Sequence, residues 1–173
     1  EKFVNETVYD VVAVICEKDF FEKPINPIKK LAAQYKIPVF QSENYKDKKL
    51  INEIKKLKPD ICVMAYVISF IPTEFREIPI KGTICFHPSL LPKHRGPSAI
   101  NWSIIQGSKE TGLTIFYPNN FLDQGDIILQ KKVQILPDDT LGDVYFSKIF
   151  PLGVNAFVEA VDLISSDNAP KII

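Results

Sequence analysis

An α/β fold, with a mostly parallel sheet carrying helices on both faces, is what this sequence predicts. Three observations lead there. Short apolar runs alternate along the chain with stretches of helical period. The early runs are apolar on both sides, as strands are when helices cover both faces of a sheet. At 173 residues the chain is long enough to bury a core of its own, so one domain over residues 1–173 is expected.

The elements follow in order. After eight mostly polar residues, Val11 to Ile15 is a continuous apolar stretch and reads as a buried strand. Asn26 is then a helix N-cap with Pro27 at the first helical position, and Ile28, Leu31, Ala32 and Tyr35 share one face. "IPVFQ" (37–41) is a strand, "KKLINEIKKLK" (48–58) a helix with Leu50, Ile51, Ile54 and Leu57 on one stripe, and "DICVMAY" (60–66) another strand buried on two sides. This β-α-β-α-β order implies parallel pairing through right-handed crossovers, a Rossmann-like arrangement. A short turn or helix over 72–77 leads to a fourth strand, "GTICFH" (82–87), and a helix from Ser98 to Gln106 stops at Gly107. "GLTIFY" (112–117) and "DIILQKKVQI" (126–135) alternate better than the earlier strands and are expected to extend the sheet in antiparallel or mixed fashion. The last segment reads as a helix or helix pair, kinked or split at Pro151.

Composition excludes several function classes. Lys plus Arg equals Asp plus Glu at 21 each, so no net charge draws the chain to nucleic acid, acidic polymer or membrane. No apolar run approaches the roughly 20 residues of a membrane span, and a soluble protein without a membrane partner is expected. Three cysteines, at 16, 62 and 85, form no C-x-x-C pair, which excludes a disulfide framework and a thiolate zinc site and fits a reducing, cytoplasmic setting.

Both histidines fall in "CFHPSLLPKHRGPS" (85–98). His87 ends a strand, and Pro88 forbids helical continuation while holding it extended. In open parallel sheets ligands bind at the carboxyl ends of strands, which makes His87 a site candidate. His94, beside Lys93 and Arg95, is expected to be solvated or to face an anion. A His-x6-His pair without nearby acids or thiolates has poor metal spacing, so no metal is expected. In "FLDQGDII" (121–128), Asp123 and Asp126 flank Gln124 and Gly125, ordinary turn residues. A carboxylate from this loop and a histidine at a strand end could still meet over one crevice and act as a general acid/base pair.

"HPSLLPKHRGPSAINW" followed by "TGLTIFYPNNFLDQGDIILQ" resembles the folate-dependent formyltransferase family, and the resemblance covers roughly residues 9 to 170. Further segments, "FIPTEF", "ILPDDT" and "IFPLGV", are most similar to the branch formed by the hydrolase domain of 10-formyltetrahydrofolate dehydrogenase. The resemblance implies the formyltransferase fold, a 10-formyltetrahydrofolate-binding catalytic domain, and 10-formyltetrahydrofolate as one-carbon donor without a metal. Water, a small-molecule amine or an aminoacyl-tRNA would be the acceptor. It maps the family's catalytic His and Asp onto His87 and Asp123, and its Asn onto Cys85. The pterin would lie against loops 66–72 and 119–124, around Ser69, Phe70, Ile71, Phe121 and Gln124, with Arg95 facing a phosphate or the glutamyl tail. A thiol is a weaker donor than an amide, and losing one preorganised oxyanion donor costs about 3 kcal/mol of barrier. The dehydrogenase's hydrolase domain also lacks this Asn, so Cys85 points to that branch or to lost turnover. Three readings follow: formyl transfer or hydrolysis by a His–Asp pair; a methionyl-tRNA or sugar-nucleotide formyltransferase fragment whose acceptor domain is absent; and a folate-binding domain without turnover. Family domains start with a further strand and helix, which residues 1–8 do not supply, so the first β-α unit is expected to be missing.

Overall fold

Local signals open the helices where the sequence places them. In the computed structural model, which describes residues 1–19, 26–65, 67 and 69–172, the Asn26 side chain accepts from the N–H of Ile28 and Pro27 occupies the first turn of the helix that follows. Asp47 likewise accepts from Lys49 N–H at the start of the next. The chain divides into two units, Glu1–Asp60 with Phe70–Ile80, and Ile61–Ser69 with Lys81–Ile173.

The first unit holds α1 (Lys2–Glu6), β1 (Val14–Cys16), α2 (Pro27–Gln34), β2 (Val39–Gln41), α3 (Lys48–Leu57) and α4 (Thr73–Arg76). β1 and β2 pair in parallel, Val14 opposite Val39 and Cys16 opposite Gln41. The expected strand start at Val11 moves to Val14. The Val14 N–H donates to the carbonyl of Pro38, and Pro38, with no N–H of its own, cannot extend the ladder further back. Residues 2–6 form a short helix that their polarity did not announce, with Lys2 paired to Glu6 and Asn5 Nδ2 donating to the Tyr35 hydroxyl at 2.9 Å. On α3 the apolar stripe buries Leu50, Ile51 and Ile54, and its amphipathic period is what the sequence shows.

The second unit holds β3 (Cys62–Met64), β4 (Thr83–His87), α5 (Ala99–Ile105), β5 (Glu110–Phe116), β6 (Ile127–Gln134), and a π-helical segment (Asp143–Ile149) that runs into α6 (Phe150–Ser165). Its sheet has the order β3-β4-β5-β6, with β3/β4 parallel and β4/β5 and β5/β6 antiparallel. The α/β, Rossmann-like class stands. Of the four strand pairs described, two are parallel and two antiparallel, because the hairpin loop of residues 117–126 returns the chain beside β5. Tyr66, at the end of the expected third strand, lies outside the described residues.

The final helical stretch divides beside Pro151, into the π-helical segment and α6. Pro151 sits in the first turn of α6, where a missing N–H is tolerated. Just before it the Phe150 N–H reaches back five residues to Tyr145 O, so the change of hydrogen-bond register falls beside the residue that has no donor. Asp143–Ser165 is long and apolar enough, by length and composition, to cross a membrane, contrary to the expectation of no such run. Its buried stripe of Ala156, Phe157, Ala160, Val161 and Ile164 packs on the sheet, however. Gly153 permits that approach, since a Cβ there would lie 2.9 Å from the Phe86 ring and 3.7 Å from Leu113. Phe86 and Phe157 rings meet at 6.1 Å.

Candidate active site

Alternation along β4 decides which side chains form the site. Phe86 faces α6, so its neighbours Cys85 and His87 face the other side, opposite Phe116 and Thr114 of β5. Pro88 then ends the strand. The chain crosses that same face of the sheet through residues 88–98, tied to it by a bond from the Leu91 N–H to Thr114 Oγ1 at 3.1 Å.

His87 is 6% exposed, and both of its ring nitrogens meet protein acceptors. Nε2 lies 2.8 Å from the carbonyl oxygen of His94, and Nδ1 lies 3.4 Å from Oδ2 of Asp123. A carbonyl only accepts, so Nε2 carries a hydrogen and donates it. Nδ1 then faces a carboxylate, and attraction there needs a second proton, on the ring or on the carboxyl. Asp123 Oδ2 also accepts from the Gly96 N–H at 2.6 Å. Among the described residues Oδ1 of Asp123 has no partner, and it is the open atom of the pair.

The loop that carries Asp123 is built around backbone conformations few residues adopt. Asp123 has φ +45°, and Gly125 has φ +118° with a hypothetical Cβ only 1.8 Å from the Tyr117 carbonyl oxygen, so only glycine fits there. Tyr117 N–H donates to Asp126 O, and Asn119 N–H to Gln124 O, which close the turn. Arg95 Nε donates to the main-chain oxygen of Asp123 at 3.1 Å, so this part of its guanidinium braces the loop.

Cys85 sits two residues before His87 on the same face. Burial, and after it the charge of Asp123, pushes its thiol up to about 12, so the group stays protonated near neutral pH. Its one hydrogen bond among the described residues is a weak donation to Phe86 O at 3.7 Å. A neutral thiol there is neither a nucleophile nor a strong oxyanion donor.

The remaining candidates are distributed as follows. Gln124 is half-buried, and Phe121 is 67% exposed in the same loop as Asp123. Ser69 is exposed in the second unit. Phe70 and Ile71 belong to the first unit, Phe70 67% exposed and Ile71 4%. There Arg76 Nε holds the Ile71 carbonyl at 2.9 Å and the guanidinium lies 6.0 Å from the centre of the Phe70 ring. Among the described residues no cluster of His, Cys, Asp and Glu is arranged to hold a metal ion.

A family model described as formyl transferase matches residues 3–161, the stretch that contains this whole constellation. The chain belongs to the formyl transferase family. Within that family it is 44% identical to cytosolic 10-formyltetrahydrofolate dehydrogenase of Xenopus tropicalis over 141 residues, covering 79% of this chain and 16% of that protein. It is 37% identical to methionyl-tRNA formyltransferase of Clostridioides difficile (strain 630) over 179 residues, covering 99% of this chain and 56% of that one. The chain therefore spans about a sixth of one curated relative and a little over half of the other. Among solved structures, phosphoribosylglycinamide formyltransferase from Anaplasma phagocytophilum superposes with a TM-score of 0.71 at 30% identity, covering 80% of this chain and 69% of that chain.

Two groups of this candidate site carry no signal in the sequence, the His94 carbonyl and the Gly96 N–H. Backbone atoms carry no residue-type signal. The only hint was Gly96 itself, which adopts φ +85° between Arg95 and Pro97.

Proposed function

We propose that residues 1–173 act as a 10-formyltetrahydrofolate-binding catalytic domain that releases the formyl group to water or transfers it to an amine, with His87 and Asp123 handling the proton. The observation that carries this reading is the 3.4 Å approach of Nδ1 of His87 to Oδ2 of Asp123 at the end of a strand. In the hydrolytic form, the water oxygen bonds to the formyl carbon while one water proton passes to Oδ1 of Asp123. The bond from that carbon to N10 then breaks as N10 takes the proton, leaving formate and tetrahydrofolate. An amine acceptor follows the same course, with a new C–N bond in place of the C–O bond. His87, carrying the second proton on Nδ1, partners the carboxylate and offsets its charge. Because both of its nitrogens are engaged inside the protein, His87 acts through Asp123. No metal enters the scheme.

Family resemblance assigns Phe121, Gln124 and Ser69 of the second unit to the folate, and the exposed Phe121 ring suits a flat partner; Phe70 and the buried Ile71, in the first unit, carry that assignment on the resemblance alone. Hydrolysis is placed ahead of transfer because the resemblance to the dehydrogenase's hydrolase domain extends to the absent Asn, here Cys85. The same residue favours a second reading, folate binding without turnover. An aminoacyl-tRNA acceptor stays within the family's range but draws no support from the balanced charge. A reducing, cytoplasmic setting suits the three free thiols.

The test is direct. Purified chain mixed with 10-formyltetrahydrofolate is expected to release tetrahydrofolate, and His87→Ala to stop release while retaining folate affinity. Calorimetric binding with no product from the wild type would replace the enzyme by the binding module. Absence of both would remove the folate reading altogether.

A further inference from the structure

A chain of buried and part-buried hydrogen bonds leads from the sheet to the carbonyl that holds His87. Ser89 and Thr114 are fully buried, and the Thr114 hydroxyl uses its whole capacity. It donates to Ser89 O at 2.7 Å and accepts from the Leu91 N–H at 3.1 Å and from Gln130 Nε2 at 2.9 Å. Gln130 Nε2 also donates to Leu91 O at 2.8 Å. One turn on, Ser89 Oγ donates to Lys93 O at 2.6 Å. The next carbonyl is that of His94, whose residue has φ +53°, and it accepts from His87 Nε2. The prolines at 88, 92 and 97 fix φ in this loop but have no N–H to bond it to the sheet. The hydroxyls and the amide supply those bonds.

We propose that Thr114, with Gln130 and Ser89, is a positioning network for the reaction: it holds the loop so that the His94 carbonyl fixes the proton of His87 on Nε2 and turns Nδ1 toward Asp123. Ser89 and Thr114 are closed to solvent. They act through His87, so their effect on turnover rests on the reading that the His87–Asp123 pair moves the proton, whereas their effect on the ring does not.

The experiment uses full chain labelled with 15N-histidine. The chain has two histidines, so two ring systems appear, and His94→Gln, which keeps the main-chain carbonyl, assigns them. In the wild type His87 is expected to show a slowly exchanging Nε2 proton. Thr114→Val keeps the side-chain shape and removes the hydroxyl, and is expected to speed that exchange at least about tenfold and lower kcat about 100-fold, with KM for the folate within about twofold, the scale of loss for small misplacement of a reacting group. Thr114→Ser is expected to restore both within about threefold. An unchanged His87 ring signal in Thr114→Val, or Thr114→Ser as impaired as Thr114→Val, overturns the proposal. Should Thr114→Val not fold, Gln130→Leu takes its place, and a wild-type ring signal in that variant overturns it equally. A wild type without turnover removes the proposed function, while the ring signals still decide the network.

Discussion

Nδ1 of His87 and Oδ2 of Asp123 stand 3.4 Å apart although 36 positions separate the two residues along the chain. The other ring nitrogen is held by the His94 carbonyl, so the imidazole is bracketed by two acceptors. Such a ring is fixed in orientation.

Asp123→Asn separates geometry from chemistry. The amide keeps the size of the carboxyl, and its oxygen, placed where Oδ2 lies, can still accept from Gly96 N–H and from a protonated Nδ1. What is lost is the proton acceptor. Turnover of 10-formyltetrahydrofolate is expected to fall about 10³-fold, within the usual range for a general base, with folate affinity and thermal midpoint close to wild type. A variant retaining a tenth of the activity would show that Asp123 does not carry the proton.

Gly125→Ala addresses the loop. At φ +118° an alanine is strained, and its Cβ would strike the Tyr117 carbonyl, so the turn must open. Left-handed strain of this kind costs about 2 kcal/mol or more. Asp123 lies two residues away, and activity is expected to fall by more than the loss of stability measured by urea unfolding accounts for. Equal losses would place the turn outside the site.

Much of the fold is legible in the sequence because its signals are local. The cap at Asn26 and the stripe of Leu50, Ile51 and Ile54 each depend on neighbours within a few residues, and each appears where expected. The start of β1 is not legible, since it depends on Pro38, a residue of the partner strand. Nor is the pairing of β5 with β4, which alternation leaves open between antiparallel and mixed. For the site, residue type alone marks His87 and Asp123 as able to meet. It does not show that both ring nitrogens are engaged, because the second acceptor is a main-chain carbonyl.

The buried thiols make stability fall in alkali. Burial raises Cys62 to about 11 and Cys85 to about 12, from an ordinary value of 9.0. A raised folded-state value means that the unfolded chain loses its thiol protons first. The stabilising contribution is thus whole below about pH 9 and is lost as pH climbs through 11 and 12. Urea midpoints are expected to hold from pH 7 to 8.5 and to drop between 9.5 and 11. The double variant Cys62→Ala/Cys85→Ala should show a shallower drop, and an equally steep one would assign the alkaline loss to other groups.

Cys85→Asn tests what the thiol costs the reaction. Position 85 is two residues before His87 on the same face, near enough for the Asp123 charge to raise its thiol, so an amide there would point toward the same carboxylate. A preorganised N–H aimed at a developing oxyanion is worth about 3 kcal/mol, roughly 100-fold in rate. Against this stands the cost of burying an amide in a slot shaped for a small apolar thiol, about 1–3 kcal/mol if its second donor finds no partner. The two effects fall on different observables. Rate with an amine acceptor such as glycinamide is expected to rise by ten- to 100-fold, while the urea midpoint falls. A variant less stable and no faster would show that the oxyanion does not form beside position 85, and would move the formyl carbon away from this end of β4.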